Sequence, residues 1–381
     1  MLPLLKEAFL LDPQITYFNH GALGLCPIEV WEKGHEWEKR IESNPAHFFD
    51  RELAGEYRNV CDCLGAFLGV PGKDLVLVEN ATYAVNYVLQ GLSFEKGSEI
   101  LITDHEYGAY HRLWQRLENQ LGIQVVRQHI PLPIESSEDV FQAFWSGVSS
   151  RTKLIFFSHI ASRTALCFPA ARICEEARKN GILTMVDGAH APGQIDLDLG
   201  KLGADFYTGN CHKWLFAPRP CGFLYAAPEV QGKTKPLVIS WGGESPQAGA
   251  SSFRNDNVWL GTRDFTRMLS IPAAIEFFQK NDFANIREHC RTLARDAQTK
   301  IADLFSLPLL YPPAEGLYQQ MVAMQLPQKD STEVRERLAL KYGIEVSTGL
   351  WHEISVIRLS IQCYNSTDDL ERLCKALYEI F

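Results

Sequence analysis

From about residue 75 to residue 226 the chain alternates short β-rich runs with helical stretches, a pattern that calls for a sheet flanked by helices. The strand candidates are Leu75–Val78, Glu99–Thr103, Gln124–Arg127, Lys153–Ser158, Ile182–Val186, Asp205–Thr208 and Gly222–Tyr225. Between them Tyr83–Gln90, Tyr110–Gln120, Glu138–Val148 and Ala170–Asn180 carry apolar residues at helical spacing. The fold class expected is α/β, with a mostly parallel seven-stranded sheet. Beyond it come a helix near Asn285–Leu304, a strand near Gln320–Gln325, a helix Thr332–Lys341, a strand Val356–Ile361 and a closing helix Asp368–Ile380. These read as a smaller α+β domain packed with the N-terminal helix Glu29–Ile41. The boundaries expected are 16–270 for the large domain, with 1–15 and 271–381 forming the small one.

Composition narrows the partners. With 46% hydrophobic residues, 381 positions suffice for one large core and a smaller second domain. A formal charge of −9 argues against nucleic acid and anionic membrane surfaces, both of which recruit basic faces. No apolar run reaches the roughly 18 residues of a membrane span, and Met1 to Lys6 lacks the character of a signal peptide, so a cytoplasmic protein is expected. The ten cysteines are scattered, and Cys61-x-Cys63 has no partner pair, which points to reduced thiols and to no metal. The nearest approach to a linker is Pro308–Pro313, followed by Glu315-Gly316.

In open α/β sheets ligands sit beyond the carboxyl ends of the strands, so the polar residues there carry the chemical signal. Thr184-Met185-Val186-Asp187-Gly188-Ala189-His190-Ala191 delivers an aspartate at a strand end, followed by small residues that admit a flat group. Tyr207-Thr208-Gly209-Asn210-Cys211-His212-Lys213-Trp214-Leu215 places a lysine among apolar neighbours, where burial lowers an amine's pKa and favours attack on an aldehyde. Glu79-Asn80-Ala81-Thr82-Tyr83 opens a helix after a strand, so the amides of Ala81 and Thr82 and the Thr82 hydroxyl suit a phosphate. Thr103-Asp104-His105-Glu106-Tyr107 follows another strand, and His105 could stack on a ring. A lysine imine, an acidic partner for a pyridine nitrogen and a phosphate cup are what pyridoxal 5'-phosphate requires.

At these residues the sequence resembles the class V aminotransferase family of fold-type I pyridoxal-phosphate enzymes, which holds cysteine desulfurases and isopenicillin N epimerase. The resemblance runs from Tyr17-Phe18-Asn19-His20-Gly21 to Arg358-Leu359-Ser360 and Tyr364-Asn365. Its most specific piece, Gly209-Asn210-Cys211-His212-Lys213-Trp214-Leu215-Phe216-Ala217-Pro218, is similar to the epimerase-like branch. The resemblance implies that Lys213 is the Schiff-base lysine and Asp187 the pyridinium partner, with Ala189 under the ring and the catalytic His105 above it. His190 would bond the phenolic oxygen, while Ala81, Thr82, Asn210 and His212 would hold the phosphate. Arg358 would grip the substrate carboxylate, with Asn19 and Gly21 beside the substrate. Gly261 and Thr262 would reach across a homodimer to the partner's phosphate, so that the active sites are shared.

Two departures qualify the resemblance. Ser347-Thr348-Gly349-Leu350-Trp351-His352-Glu353 lacks the nucleophilic cysteine that desulfurases carry shortly before the carboxylate arginine. At Ser162-Arg163-Thr164-Ala165, Arg163 stands where epimerase-like relatives commonly have proline; it either faces the substrate side chain or caps a helix at the surface. The leading expectation is an amino-acid epimerase-like enzyme in which Lys213 moves the Cα proton. His352, His105 or Tyr107 would act as the second acid or base. A β-eliminating C–S lyase, an aminotransferase and a catalytically silent binding protein are the alternatives.

Overall fold

The computed structural model describes residues 5–241, 252–313 and 316–381. The start of the chain, the first part of the Gly- and Ser-rich stretch from Gly242 to Asn257, and Glu315 of the linker lie outside the described residues.

Continuous apolar runs form most of the central strands, because a sheet covered by helices on both faces buries the side chains of its interior strands, whereas the edge strand Gln124–Gln128 keeps polar, partly exposed positions. In chain order the strands are β1 (Thr16–Tyr17), β2 (Leu75–Val78), β3 (Glu99–Thr103), β4 (Gln124–Gln128), β5 (Thr152–Ser158), β6 (Leu183–Asp187), β7 (Phe206–Asn210) and β8 (Gly222–Ala226). There follow β9 (Met321–Gln325), β10 (Ile344–Glu345), β11 (Ser347–Trp351) and β12 (Ile354–Ser360). The main sheet has seven strands in the order β2-β8-β7-β6-β5-β3-β4. Neighbours from β7 to β4 run parallel, and only β8 opposes both of its neighbours. This is the mostly parallel sheet that the alternation predicts.

The two-residue period divides each strand between two cores. Val76, Ile100, Leu154, Phe156 and Met185 pack on one face with Ala84, Val88, Leu113 and Trp114 from the helices Ala81–Gly91 and His111–Leu121. Leu77, Leu101, Ile155, Phe157 and Val186 pack on the other with Val140, Phe144 and Ile173 from Ser137–Trp145 and Ala170–Lys179. A further helix, Leu53–Leu68, packs on this second face through Tyr57, Val60, Leu64 and Leu68; its helical spacing was legible but not singled out.

The C-terminal part builds a second, antiparallel sheet in the order β11-β12-β9, packed against the helices Phe283–Phe305 and Ser331–Tyr342. β11 has no counterpart among the expected strands. Its Ser347 and Gly349 carry little β-propensity, and the strand forms by pairing with the apolar-rich β12. The helix Ile28–Ser43 packs against Thr266–Leu269 and Ile271–Lys280, while β1 pairs in parallel with β10. Among the described residues no helix is long and apolar enough to cross a membrane.

Candidate active site

Because β2, β3, β5, β6 and β7 point the same way, their carboxyl ends meet along one edge. A cavity of about 1010 Å³ opens there, lined in part by Gly21, Thr82, His105, Asp187, Lys213 and Arg358. The C-terminal sheet closes its far side through β11 and β12.

Asp187 ends β6, in register between Ser158 of β5 and Thr208 of β7. Its buried carboxylate accepts the Ala189 amide on Oδ1 and the Tyr110 hydroxyl on Oδ2, each at 2.9 Å. Burial still raises its pKa above the ordinary value, and Lys213 is its positive neighbour. Among the described residues no salt bridge reaches this carboxylate. The small Gly188 that follows serves the protein's own packing, since a Cβ there would stand 2.2 Å from the Tyr207 ring. Ala189 is left to line the cavity.

Lys213 lies in the turn after β7, and His20 fixes its backbone. His20 Nε2 donates to the Lys213 carbonyl at 3.0 Å, and Nδ1 lies 2.8 Å from the Tyr364 hydroxyl. At the other end of the side chain, Nζ is 3.4 Å from His190 Nε2. The Trp214 indole can only donate, and it donates to His190 Nδ1 at 3.3 Å. Burial, reinforced by Lys213 and Arg358, keeps His190 far below the usual imidazole pKa, so the ring is neutral. Its single proton must then sit on Nε2 and point at the lysine, an arrangement that suits a neutral amine. Consistently, burial lowers the Lys213 pKa to about 8, against the opposing pull of Asp187.

A third group of residues forms an anion cradle. Asn80 caps the helix Ala81–Gly91 by accepting the Tyr83 amide at 3.0 Å. The Ala81 amide does not stand free; it donates to Asn210 Oδ1 at 2.9 Å and thereby positions that side chain. The amide of Thr82 has no acceptor among the described residues. His212 Nδ1 lies 2.9 Å from the Cys221 amide nitrogen and 2.5 Å from the Cys221 carbonyl, so the ring is anchored to that backbone, and burial lowers its pKa to about 4. Thr82, Asn210 and His212 all line the cavity.

His105 is almost wholly buried, with Nε2 donating to the Ile130 carbonyl at 2.9 Å and Nδ1 lying 2.7 Å from the Thr164 hydroxyl. Both ring nitrogens are thus committed, and burial lowers its pKa to about 4. Arg358 projects from β12, donating to the carbonyl of Ser162 and, at 3.3 Å, to its hydroxyl. Burial, then the like charge of Arg163, lowers its pKa to about 10, so it remains a cation. Its Nε is buried without a partner, and no carboxylate pairs with it among the described residues. Arg163 caps no helix; it lines the cavity and donates to the Thr348 carbonyl at 3.1 Å.

The remaining expected residues are less central. Gly21 lines the cavity, whereas Asn19 does not, although its Oδ1 is buried without a partner. Gly261, at φ +108°, and the exposed Thr262 lie outside the cavity of their own chain, and Arg263 ties them to Glu79 at 2.7 Å. Sequence reasoning missed the supports: Tyr110 was read only as a helix start, and His20 only as part of a motif. Trp214, whose indole orders His190, was likewise read only as an apolar neighbour. No cysteine lines the cavity among the described residues.

The model of the family described as Aminotransferase class-V matches residues 16–373. An isopenicillin N epimerase from Amycolatopsis lactamdurans is 35% identical, covering 98% of this chain and 97% of that protein. A probable chloroplastic L-cysteine desulfhydrase from Arabidopsis thaliana is 26% identical over 96% of this chain and 83% of its own. Among solved structures, a lysine-to-alanine mutant of C-DES with glycine covalently linked to its PLP cofactor superposes with a TM-score of 0.86 at 19% identity. That match covers 98% of this chain and 99% of the other.

The amine geometry yields a pH dependence. In the cofactor-free protein, labelling of Lys213 by a small aldehyde and borohydride, mapped by peptide mass spectrometry, should rise through pH about 8 as the ammonium loses its proton. Labelling that rises only where exposed lysines titrate would contradict a desolvated amine.

Proposed function

The chain belongs to the class V aminotransferase family, and on that premise we propose that it is a pyridoxal 5'-phosphate enzyme that removes and returns the Cα proton of an amino acid or peptide-like substrate, most like isopenicillin N epimerase. The observation that carries this reading is the Lys213 amine, whose pKa burial lowers to about 8, near buried Asp187, in a cavity whose wall holds a buried arginine with no carboxylate partner among the described residues. The residues fit the cofactor. A buried carboxylate lacks a salt bridge, as a partner for a protonated ring nitrogen should. A helix N-terminus offers the Thr82 amide to a phosphate, and Arg358 awaits an anion.

When bound, the cofactor supplies an electron-withdrawing ring that stabilises negative charge at the substrate Cα. Asp187 keeps the proton on the ring nitrogen, and Tyr110 and the Ala189 amide hold the carboxylate in place. Thr82, Asn210 and His212 would hold the phosphate, and His190, whose Nδ1 is taken by Trp214, would offer its Nε2 proton to the phenolic oxygen. His105 contributes a ring face rather than a proton, because both its nitrogens are engaged. Lys213 anchors the cofactor and is the acid or base on one face of the substrate Cα, taking the proton there in one direction of inversion and delivering it in the other. Arg358 grips the α-carboxylate with a planar fork suited to a bidentate contact.

Inversion needs a second acid or base. His352 is bonded to Asp104, whereas Tyr107 lines the cavity as an electrostatic neighbour of Arg358, with no hydrogen bond to its hydroxyl among the described residues. Tyr107 is therefore assigned that role. The absence of a cysteine from the cavity wall counts against a persulfide route, leaving β-elimination as the second reading, supported by the desulfhydrase relatives. Ten unpaired cysteines accord with a reducing, cytoplasmic setting.

Incubating the holoprotein with L- and D-amino acids, peptide-like substrates and cysteine conjugates should give interconversion of configuration without pyruvate. Release of pyruvate and a thiol without inversion would instead establish the lyase. Arg358→Ala should raise KM about tenfold to a hundredfold, the loss of a charge-assisted pair, while the cofactor's absorbance persists. Unchanged KM would remove Arg358 from substrate binding.

The active site is further proposed to be shared in a homodimer. Gly261 adopts a backbone conformation that strains side-chain-bearing residues, and exposed Thr262 presents an amide and a hydroxyl away from its own cavity. Both suit the partner's phosphate. Thr262→Ala should lose cofactor faster on dialysis, and wild-type protein should sediment as a dimer. A monomer with full cofactor and activity would exclude sharing.

A further inference from the structure

Three side chains of types that can ligate a metal, from separate segments, meet beside the cavity, two of them, Asp104 and His352, lining it. Asp104 follows β3, His129 follows β4, and His352 forms the turn between β11 and β12. Asp104 Oδ2 lies 2.6 Å from His129 Nδ1 and 2.7 Å from His352 Nε2, and all three ligand atoms fall within 4.8 Å of one another. The carboxylate is aimed, because Oδ1 accepts the Ile130 amide at 3.0 Å and only Oδ2 faces the two rings. Trp351 orients the imidazoles: His129 stacks on it at 6.2 Å and 15°, and His352 meets it edge-on at 4.7 Å. His352 is held at φ +48°, a left-handed conformation uncommon for a residue with a side chain, and this turn brings its ring to the other two.

In this state two imidazole N–H groups share a single carboxylate oxygen. One divalent ion would replace both protons. Metal–ligand distances of about 2.0–2.2 Å require each imidazole nitrogen to move away from the carboxylate oxygen by a fraction of an ångström. Two imidazoles and a carboxylate suit zinc and its borderline neighbours rather than calcium or magnesium, which prefer all-oxygen shells. The imidazole side chains are 60% and 52% exposed, leaving room for water to complete the coordination.

We propose that Asp104, His129 and His352 form a binding site for a borderline divalent transition metal, which ties the ends of β3 and β4 to the β11–β12 turn. That hairpin carries Arg358, so a bound ion would fix the wall that presents the guanidinium to the cavity. Binding should release protons and raise the melting temperature, since the ion favours the folded state.

The probe is zinc, dialysed at equilibrium against the holoprotein, with cobalt(II) as its spectroscopic substitute. Wild type should bind one zinc per chain at submillimolar concentration. His129→Ala and His352→Ala should each weaken binding by at least about tenfold, and the double variant should abolish it. Cobalt should show visible bands of nitrogen and oxygen ligation without a thiolate charge-transfer band. Retention of folding and cofactor by the double variant, read from circular dichroism and absorbance, keeps the comparison sound. Zinc held equally by the double variant, a thiolate band, or no binding to wild type would each overturn the proposal.

Discussion

A carboxylate buried at the end of β6 is the constraint around which the site is organised. Removing an anion from water is costly unless donors or an opposite charge replace the lost hydration. Asp187 receives two donors, Tyr110 and the Ala189 amide, yet burial still pushes its pKa upward. Its ionised form therefore gains from a cation placed against it. A protonated pyridine nitrogen is such a cation, and the parallel strands bring Asp187 to the edge where the helix N-terminus at Thr82 also arrives.

The same desolvation sets the protonation of the neighbours. His20, His105, His190 and His212 are each drawn well below the usual imidazole pKa by burial, and each has a ring nitrogen committed to a protein group. They act as fixed donors and acceptors rather than as proton carriers. Lys213 is the exception by design of its surroundings: burial lowers it to about 8, close enough to neutrality that the amine is available near physiological pH. Tyr107 is open to the cavity, and on the proposed reading it serves as the second acid or base.

The main sheet was legible because most strands are short apolar runs bounded by helical periodicity; the seven expected strands form within about two residues of their expected limits. Lys213, Asp187 and Thr82 could be singled out because they follow strands, where α/β chemistry is placed. The unpaired state of Arg358 could not be read from the sequence, since it depends on Ser162 and on β12 lying across from the main sheet. Nor could the support from His20, 193 residues away from Lys213, or the meeting of Asp104 with His352, 248 residues apart. β11 escaped notice because pairing, not propensity, makes it a strand. The small size of Gly188 was read as room for a ligand, whereas its nearest constraint is Tyr207.

On the proposed reading the Asp187 charge, rather than its shape, powers Cα chemistry. Exchange of the substrate Cα hydrogen in heavy water, followed by NMR with holoprotein and with Asp187→Asn of verified cofactor content, tests it most directly. The account predicts that the variant retains cofactor while exchange slows by about a hundredfold or more. Exchange at the wild-type rate in a cofactor-loaded Asp187→Asn protein would contradict it.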